Sequence, residues 1–157
     1  MSGLAIALLG AAVAVVLASI GSVIGVSLVG RGGAGVLAEK PELFGKVLLL
    51  EVLPGTQGIY GFLVAFIVLL QTGIIGGEAV EVTMAQGWEV FFICLAIALT
   101  GLFSGWFQGK VGVSGLNILA KRPEKFGNAV ILSAMVETYA LLGLVVSILS
   151  VLFLKLG

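Results

Sequence analysis

Long apolar runs separated by short polar connections dominate the pattern along the chain. Each run is close to or longer than the ~20 residues that an α-helix needs to cross a bilayer. The pattern therefore predicts an all-α membrane protein, with one compact membrane domain covering residues 1–157 and no soluble domain. We place four membrane-spanning helices at about 4–30, 43–72, 87–117 and 126–154.

Composition supports this assignment and narrows the possible functions. The chain is 60% hydrophobic and only 10% charged, whereas an average soluble domain carries about 25% charged residues. Eight basic and eight acidic residues balance, so the charge does not favour nucleic-acid binding. The absence of His removes the commonest metal ligand and the usual proton shuttle. Cys94 lies in an apolar run and is expected to be a small buried residue.

The basic residues predict how the chain is oriented in the membrane. Seven of the eight lie around the first and third connections, whereas the second connection has acidic residues but no Lys or Arg. By the positive-inside rule, the connections at about 31–42 and 118–125 are expected in the cytoplasm and both termini outside. Lys155 departs from this pattern, but its long side chain can snorkel from a helix end.

Small residues shape the first span. Ala14, Ala18, Gly21 and Gly25 follow at steps of four and three residues, which places them on one stripe and lets another backbone approach closely. The glycine-rich stretch 30–33 is then expected to end the helix. It resembles a phosphate loop only superficially, because it follows no strand and lacks the Lys-Ser/Thr ending.

An internal repeat divides the chain into two helical hairpins. The stretches 38–45 and 120–127 match when Ala38 is aligned with Ala120, and each places a Pro at the entry to the next span. Repeat one then covers about 4–72 and repeat two about 87–154, both with the same direction through the membrane. The same alignment places Gly55 opposite Glu137, so a single acid serves four helices.

Glu137 is the feature around which the chain is organised. It is the only acidic residue in the run from Phe126 to Leu154 and would lie near the middle of the bilayer. A charge there costs a few kcal/mol, and such residues usually face the protein interior and mark an ion or proton path. A carboxylate that only ties helices together is the alternative.

The second and third spans offer polar partners for this carboxylate. Thr56, Gln57 and Tyr60 share an arc of roughly 100° with Leu53, at about 100° per residue. Pro54 cannot donate to the carbonyl four residues earlier, so it is expected to kink the helix and can re-aim the Leu53 carbonyl. Gln108 lies on a face of small residues in the third span.

These groups suit a small, hard, monovalent cation. One carboxylate with several neutral oxygens lacks the second acid that a calcium cage would need. The expected ligands are Leu53, Thr56, Gln57, Gln108 and Glu137, and the Tyr60 hydroxyl would hold the carboxylate in position. Glu51 lies about 160° round the helix from Leu53, so we read it as pore-lining or snorkelling rather than as a ligand.

The motifs Leu53-Pro54-Gly55-Thr56-Gln57-Gly58 and Met135-Val136-Glu137-Thr138-Tyr139-Ala140 carry a family resemblance. Together with Gln108-Gly109-Lys110, they resemble the K subunits, or c-type proteolipids, of bacterial sodium-translocating V-type ATPases. The resemblance covers essentially the whole chain. It implies that the five ligand positions named above bind Na⁺, with Tyr60 bonded to the carboxylate. It also implies a homomeric ring in a bacterial plasma membrane, partnered by a stator a/I-type subunit and a central stalk.

The expected function is that of a rotor subunit that carries Na⁺ while ATP hydrolysis elsewhere in the complex turns the ring. This chain itself would perform no covalent chemistry. H⁺ is the alternative ion, although the oxygens of Thr56, Gln57 and Gln108 are surplus for a proton. A secondary cation transporter or passive channel would explain the buried acid but not a parallel repeat that has lost one site. A purely structural membrane organiser is the third possibility.

Overall fold

The computed structural model describes residues 2–78 and 80–156, and their regular structure is helical. The α-helices are α1 (Gly3–Glu39), α2 (Phe44–Val52), α3 (Thr56–Gln71), α4 (Met84–Lys121) and α5 (Phe126–Phe153). A short 3-10 turn at Pro41–Leu43 precedes α2, a second at Leu53–Gly55 joins α2 to α3, and a third at Pro123–Lys125 precedes α5. The helices thus form four rods in chain order: α1, α2 with α3, α4, and α5. In the described part of the chain, four rods are long and apolar enough to cross a membrane.

The first and third rods are longer than the sequence predicted. α1 continues through the glycine-rich stretch 30–33 to Glu39, so the expectation that these glycines end the helix was wrong. Gly32 packs against the Leu116 side chain, and Gly33 packs against Val47. These contacts compensate for the weak helix propensity of glycine. α4 likewise extends to Lys121, so the connections predicted at 31–42 and 118–125 are mostly helical.

α1 and α4 form a tightly packed pair because small residues line both helices. A Cβ on Gly105 would lie 2.6 Å from the Gly21 carbonyl carbon, and one on Gly10 would lie 2.7 Å from the Phe91 Cα. Ala14 and Ala18 of the predicted stripe are fully buried. Side chains larger than hydrogen would push these backbones apart, so the pairing depends on glycine at the closest contacts.

The other two rods each pack on one helix of this pair. Gly61 of α3 contacts Ala14 and Ala18 of α1, and Gly143 of α5 contacts Thr100 of α4. The helices enclose a cluster of apolar residues that includes Val64 of α3 and Cys94 of α4, both completely buried. The expected burial of the cysteine is therefore confirmed.

The repeat-related corners meet at one end of the bundle. The Lys40 ammonium donates to the Ala120 carbonyl, and Lys46 Nζ donates to the Pro123 carbonyl at 3.0 Å. Each corner follows its helix with a 3-10 turn that begins at proline, where the missing N–H has no cost. The two hairpins are therefore locked side by side at the end that carries most of the basic residues.

Candidate functional site

A break in the second rod creates the polar part of the site. α2 ends at Val52, a 3-10 turn follows at Leu53–Gly55, and α3 begins at Thr56. Pro54 lacks the N–H that would continue the α-helical ladder. The Leu53 carbonyl instead accepts hydrogen bonds from the Thr56 backbone N–H and, at 3.0 Å, from Thr56 Oγ1. The break therefore holds a carbonyl oxygen beside a hydroxyl.

Glu137 of α5 meets this polar face. Thr56 Oγ1 lies 2.8 Å from Glu137 Oε1, and the Tyr60 hydroxyl donates to the same oxygen at 2.6 Å. On the other side, Gln108 Nε2 of α4 donates to Glu137 Oε2 at 3.5 Å. The carboxylate is half-buried and is reached by side chains from two other helices.

Two buried glutamines near the Glu137 carboxylate are hydrogen-bonded to each other. Gln57 and Gln108 are both completely buried, and Gln57 Nε2 donates to Gln108 Oε1 and, at 3.1 Å, to Ser104 Oγ. Ser104 Oγ in turn donates to the Val136 carbonyl at 3.0 Å. Buried amides fixed in this way hold their remaining polar atoms in place: Gln108 Nε2 faces Glu137 and Gln57 Oε1 faces Thr56 Oγ1.

The structure thus brings together all six residues that the sequence singled out: Leu53, Thr56, Gln57, Tyr60, Gln108 and Glu137. Their role in binding an ion stays a prediction. Gln108 differs from the expected arrangement, because its nitrogen rather than its oxygen faces the carboxylate. A rotation of its amide by half a turn would be needed before its oxygen could join the ligands.

Hydrogen bonds alone do not use all the oxygens around Thr56. Its Oγ1 lies 3.0 Å from the Leu53 carbonyl oxygen, 3.5 Å from Gln57 Oε1 and 2.8 Å from Glu137 Oε1. A threonine hydroxyl has a single hydrogen to donate. With Glu137 ionised, that hydrogen can serve only one partner, so the short contacts to Leu53 and to Glu137 cannot both be hydrogen bonds from Thr56. A cation among these oxygens, or a proton on Glu137, would satisfy the other contact.

Two serines support the site, and sequence reasoning did not assign them this role. Ser104 was treated only as a small residue, although it lies one turn before Gln108 on the same face, which was the available signal. Ser22 of α1 accepts a hydrogen bond from the Gly58 backbone N–H at 2.8 Å. It fixes the first turn of α3, where the break leaves backbone groups in need of partners.

Glu51 lies outside this cluster. Its carboxylate rests against the backbone of α1, where a Cβ on Gly30 would lie 2.6 Å from Glu51 Oε1. The side chain is half-buried. This position agrees with the geometric expectation that Glu51 points away from the polar face of the rod.

Comparisons with known proteins point in one direction. Residues 9–68 and 91–150 each match the family of ATP synthase C subunits, and these two segments are the two copies of the internal repeat. The chain is 45% identical to V-type sodium ATPase subunit K of Enterococcus hirae, over 96% of this chain and 92% of that protein.

Two more distant relatives have other names. The chain is 41% identical to A-type ATP synthase subunit K of Methanocaldococcus jannaschii, over 89% of this chain and 59% of that protein. It is 30% identical to the 16 kDa proteolipid of the V-type proton ATPase of Nephrops norvegicus, over 89% of this chain and 86% of that protein. The three names are those of subunits of an ATPase or ATP synthase, and the two that name an ion differ: one names sodium and the other the proton.

Proposed function

Because the chain belongs to the family of ATP synthase C subunits, we propose that it is the membrane rotor subunit of a V-type ATPase and that Glu137 carries Na⁺. The observation that carries this proposal is the group of oxygens around Thr56, which contains more acceptors than available hydrogens and adjoins the carboxylate. The ligands would be Leu53, Thr56, Gln57 and Glu137, joined by Gln108 once its amide gives up its hydrogen bond from Gln57 and rotates.

The chemistry of the site favours sodium over a proton or a divalent ion. A proton binds to the carboxylate and does not require the further oxygens of Thr56 and Gln57, whereas a sodium ion does. A divalent ion usually takes further carboxylates, and the described residues contain no group of three or more acidic, His or Cys side chains that could hold a metal. The names of relatives divide between sodium and proton, so the ion must be tested on this chain.

The proposed assembly is a closed ring of identical subunits in a bacterial plasma membrane, with a stator subunit and a central stalk as partners. Each copy would contribute one ion site, because Gly55 occupies the position in repeat one that Glu137 occupies in repeat two. The corners at Pro41–Leu43 and Pro123–Lys125 would face the cytoplasm, and both ends of the chain would lie outside.

The carboxylate would alternate between two environments as the ring turns. Facing lipid, Glu137 needs a bound cation, because a bare anion in hydrocarbon is costly. At the stator, a water-filled half-channel and a stator cation would let the ion exchange. The Tyr60 hydroxyl would keep the carboxylate aimed at the ligands throughout. Moving one charge against 100 mV requires about 2.3 kcal/mol, which ATP hydrolysis in the soluble part would supply.

Protection of Glu137 from a carboxyl reagent tests the ion directly. Purified membranes would be treated with dicyclohexylcarbodiimide at fixed pH and rising NaCl, with choline chloride keeping the ionic strength constant. We expect saturating sodium to slow the modification of Glu137 at least about tenfold, which corresponds to about 1.4 kcal/mol of protection. A rate that depends on pH but not on sodium would identify a proton carrier instead.

Copurification distinguishes the rotor from a secondary transporter. A rotor subunit should purify as a stable ring with ATPase subunits, and sodium transport in vesicles should require ATP. A monomer or dimer that exchanges sodium without ATP would support the transporter. If Glu137→Gln left ion transport intact, only a structural role would remain.

A further inference from the structure

Two charged side chains lie within two residues of the proposed ligands in sequence and are not used by the ion site. Glu51 belongs to α2, and Lys110 belongs to α4, two residues beyond Gln108. Among residues 2–78 and 80–156, neither forms an ion pair within 4.0 Å. Charged groups at such depth usually pair with each other or face water, because an isolated charge in hydrocarbon is costly.

Glu51 lies on the flank of the bundle that is far from α4. Its carboxylate rests against Gly30 of α1. Gly21 of the same helix contacts Gly101 and Leu102 of α4. At the level of Gly30, Val29 and Gly32 are the residues of α1 that pack on α4, and they lie about 100° and 160° round the helix from Gly30. Helix α1 therefore stands between the Glu51 carboxylate and α4 of the same chain.

Lys110 lies on the opposite flank. Its neighbour Gly109 packs against Gly25 of α1, and at about 100° per residue the Lys110 side chain points well away from that contact. The side chain is exposed, and its ammonium lies 4.8 Å from the ring centroid of Trp106 and 4.9 Å from that of Phe107. Cation–π contacts of this kind hold a charge that has no anion beside it.

The backbone positions of Glu51 and Lys110 lie at similar depth. Gly109 packs against Gly25, Gly112 packs against Val29, and Leu116 packs against Gly32. Gly30 is therefore level with about residue 113 of α4. Lys110 is about three residues, or ~4.5 Å along the axis, from that level. Its ammonium lies over Trp106 and Phe107 in the opposite direction, so the lysine side chain would have to turn towards residue 113 to reach Glu51.

We infer that Glu51 of one subunit forms an ion pair with Lys110 of the next subunit in the ring. The inference rests on the proposed function, which supplies the ring. In a head-to-tail ring, the α1 flank of one copy meets the α4 flank of its neighbour. That arrangement brings the acid and the base together at one depth at every interface, and it removes both from lipid.

A double-mutant cycle measures this pair. Purified rings of the wild type, Glu51→Gln, Lys110→Gln and the double variant would be heated in detergent, and the temperature of half-dissociation would be read on gels. We expect each single substitution to lower the temperature of half-dissociation by at least about 5 °C, because it leaves one charge without a partner. The double variant should dissociate at a temperature no lower than that of the less stable single variant, since it contains neither charge.

Arg31→Gln serves as the matched control. Arg31 adjoins Gly30 on α1 and is the nearest base in sequence to the surface on which Glu51 rests. If Arg31→Gln, rather than Lys110→Gln, cancels the effect of Glu51→Gln, the pair lies within one chain and the inference is wrong. Simple addition of the Glu51→Gln and Lys110→Gln effects would also contradict it.

Cross-linking gives an independent test in whole rings. A Cys94→Ala background, in which the one native thiol is absent, would carry Glu51→Cys and Lys110→Cys. A short bifunctional thiol reagent should then produce a ladder of oligomers up to the full ring, whereas each single-cysteine chain should not. Intact rings without a ladder would contradict the pair alone. Failure of the wild-type chain to form any ring would contradict the proposed function as well.

Discussion

The rod formed by α2 and α3 and the rod formed by α5 occupy equivalent places in the two hairpins, but they differ at the candidate site. The rod of repeat one is broken at Leu53–Gly55 and exposes a carbonyl beside Thr56 and Gln57. The rod of repeat two is one continuous helix, α5, through Glu137. When the repeats are aligned, Pro54 corresponds to Val136 and Gly55 to Glu137.

Under the proposed function, the two repeats divide the work of one ion site. The broken rod supplies neutral oxygens with fixed directions, and the continuous rod supplies the charge. Helices α1 and α4 support the two rods through serines that occupy the same position in the two repeats. Ser22 of α1 accepts a hydrogen bond from the Gly58 N–H, and Ser104 of α4 donates one to the Val136 carbonyl. In the proposed sodium site, a second carboxylate at position 55 would disturb this arrangement, because two like charges would compete for one cation.

The largest effect should follow from removing the charge of repeat two. Glu137→Gln keeps the size of the side chain but eliminates the anion that a cation must meet, a loss of about 2–5 kcal/mol. We expect sodium-dependent transport in reconstituted vesicles to fall at least about 30-fold. Carbodiimide labelling at this position should also disappear.

The matched control for this variant is Glu51→Gln, which removes the other acid inside a rod. Rings that assemble with Glu51→Gln should still bind sodium with wild-type affinity, because the Glu51 carboxylate rests against Gly30, away from the cluster. Equal losses of sodium affinity in the two variants would show that the ion path involves both acids.

The second effect concerns two threonines that occupy the same position in the two repeats, Thr56 and Thr138. Thr56→Val removes the oxygen at the centre of the cluster and should weaken sodium binding by about 1.5–3 kcal/mol, or roughly 10- to 150-fold. Thr138 is exposed and donates to the Met135 carbonyl in its own helix at 2.7 Å. Thr138→Val should therefore change sodium protection of Glu137 by less than about twofold.

Ion affinity from the sodium dependence of carbodiimide labelling would compare the two variants on one scale. Similar affinities for Thr56→Val and the wild type would mean that the broken rod contributes no ligand through this hydroxyl. The interpretation of the break at Leu53–Gly55 would then have to change.

The smallest effect should follow from Tyr60→Phe. The Tyr60 hydroxyl donates to Glu137 Oε1 at 2.6 Å but would not itself contact the ion. Its loss should cost about 1 kcal/mol, or roughly fivefold in sodium affinity, by loosening the carboxylate. Tyr139→Phe is the control, because Tyr139 is 67% exposed. A Tyr60→Phe loss as large as that of Glu137→Gln would indicate that the hydroxyl is a ligand.

Much of the fold follows from the sequence because hydrophobic runs of bilayer length permit few alternatives. Four spans, the tight contacts of Gly21 and the interruption at Pro54 could all be anticipated from length, residue size and the missing N–H. The grouping of Thr56 and Gln57 near Glu137 was also accessible, since buried polar groups in lipid must meet one another.

The remaining features depend on packing between rods, which periodicity within one rod does not reveal. The stretch 30–33 stays helical because neighbouring side chains fill the space beside its glycines. Ser104 becomes a partner of Gln57 only through the angle at which α4 meets α3. The orientation of the Gln108 amide is likewise decided by its bond to Gln57, a contact between residues 51 positions apart.

The close contact between α1 and α4 has a mechanical consequence. These helices contain 37 and 38 residues, so each measures about 55 Å against a hydrocarbon layer of about 30 Å. Their backbones touch through glycine, which leaves little slack for sliding or torsion. If the ring turns, α1 and α4 would move as one rigid unit and transmit torque to the depth of the Glu137 carboxylate. The rod of α2 and α3 is interrupted at Leu53–Gly55, where Pro54 donates no hydrogen bond, and under the proposed function this more deformable segment would let an ion enter and leave.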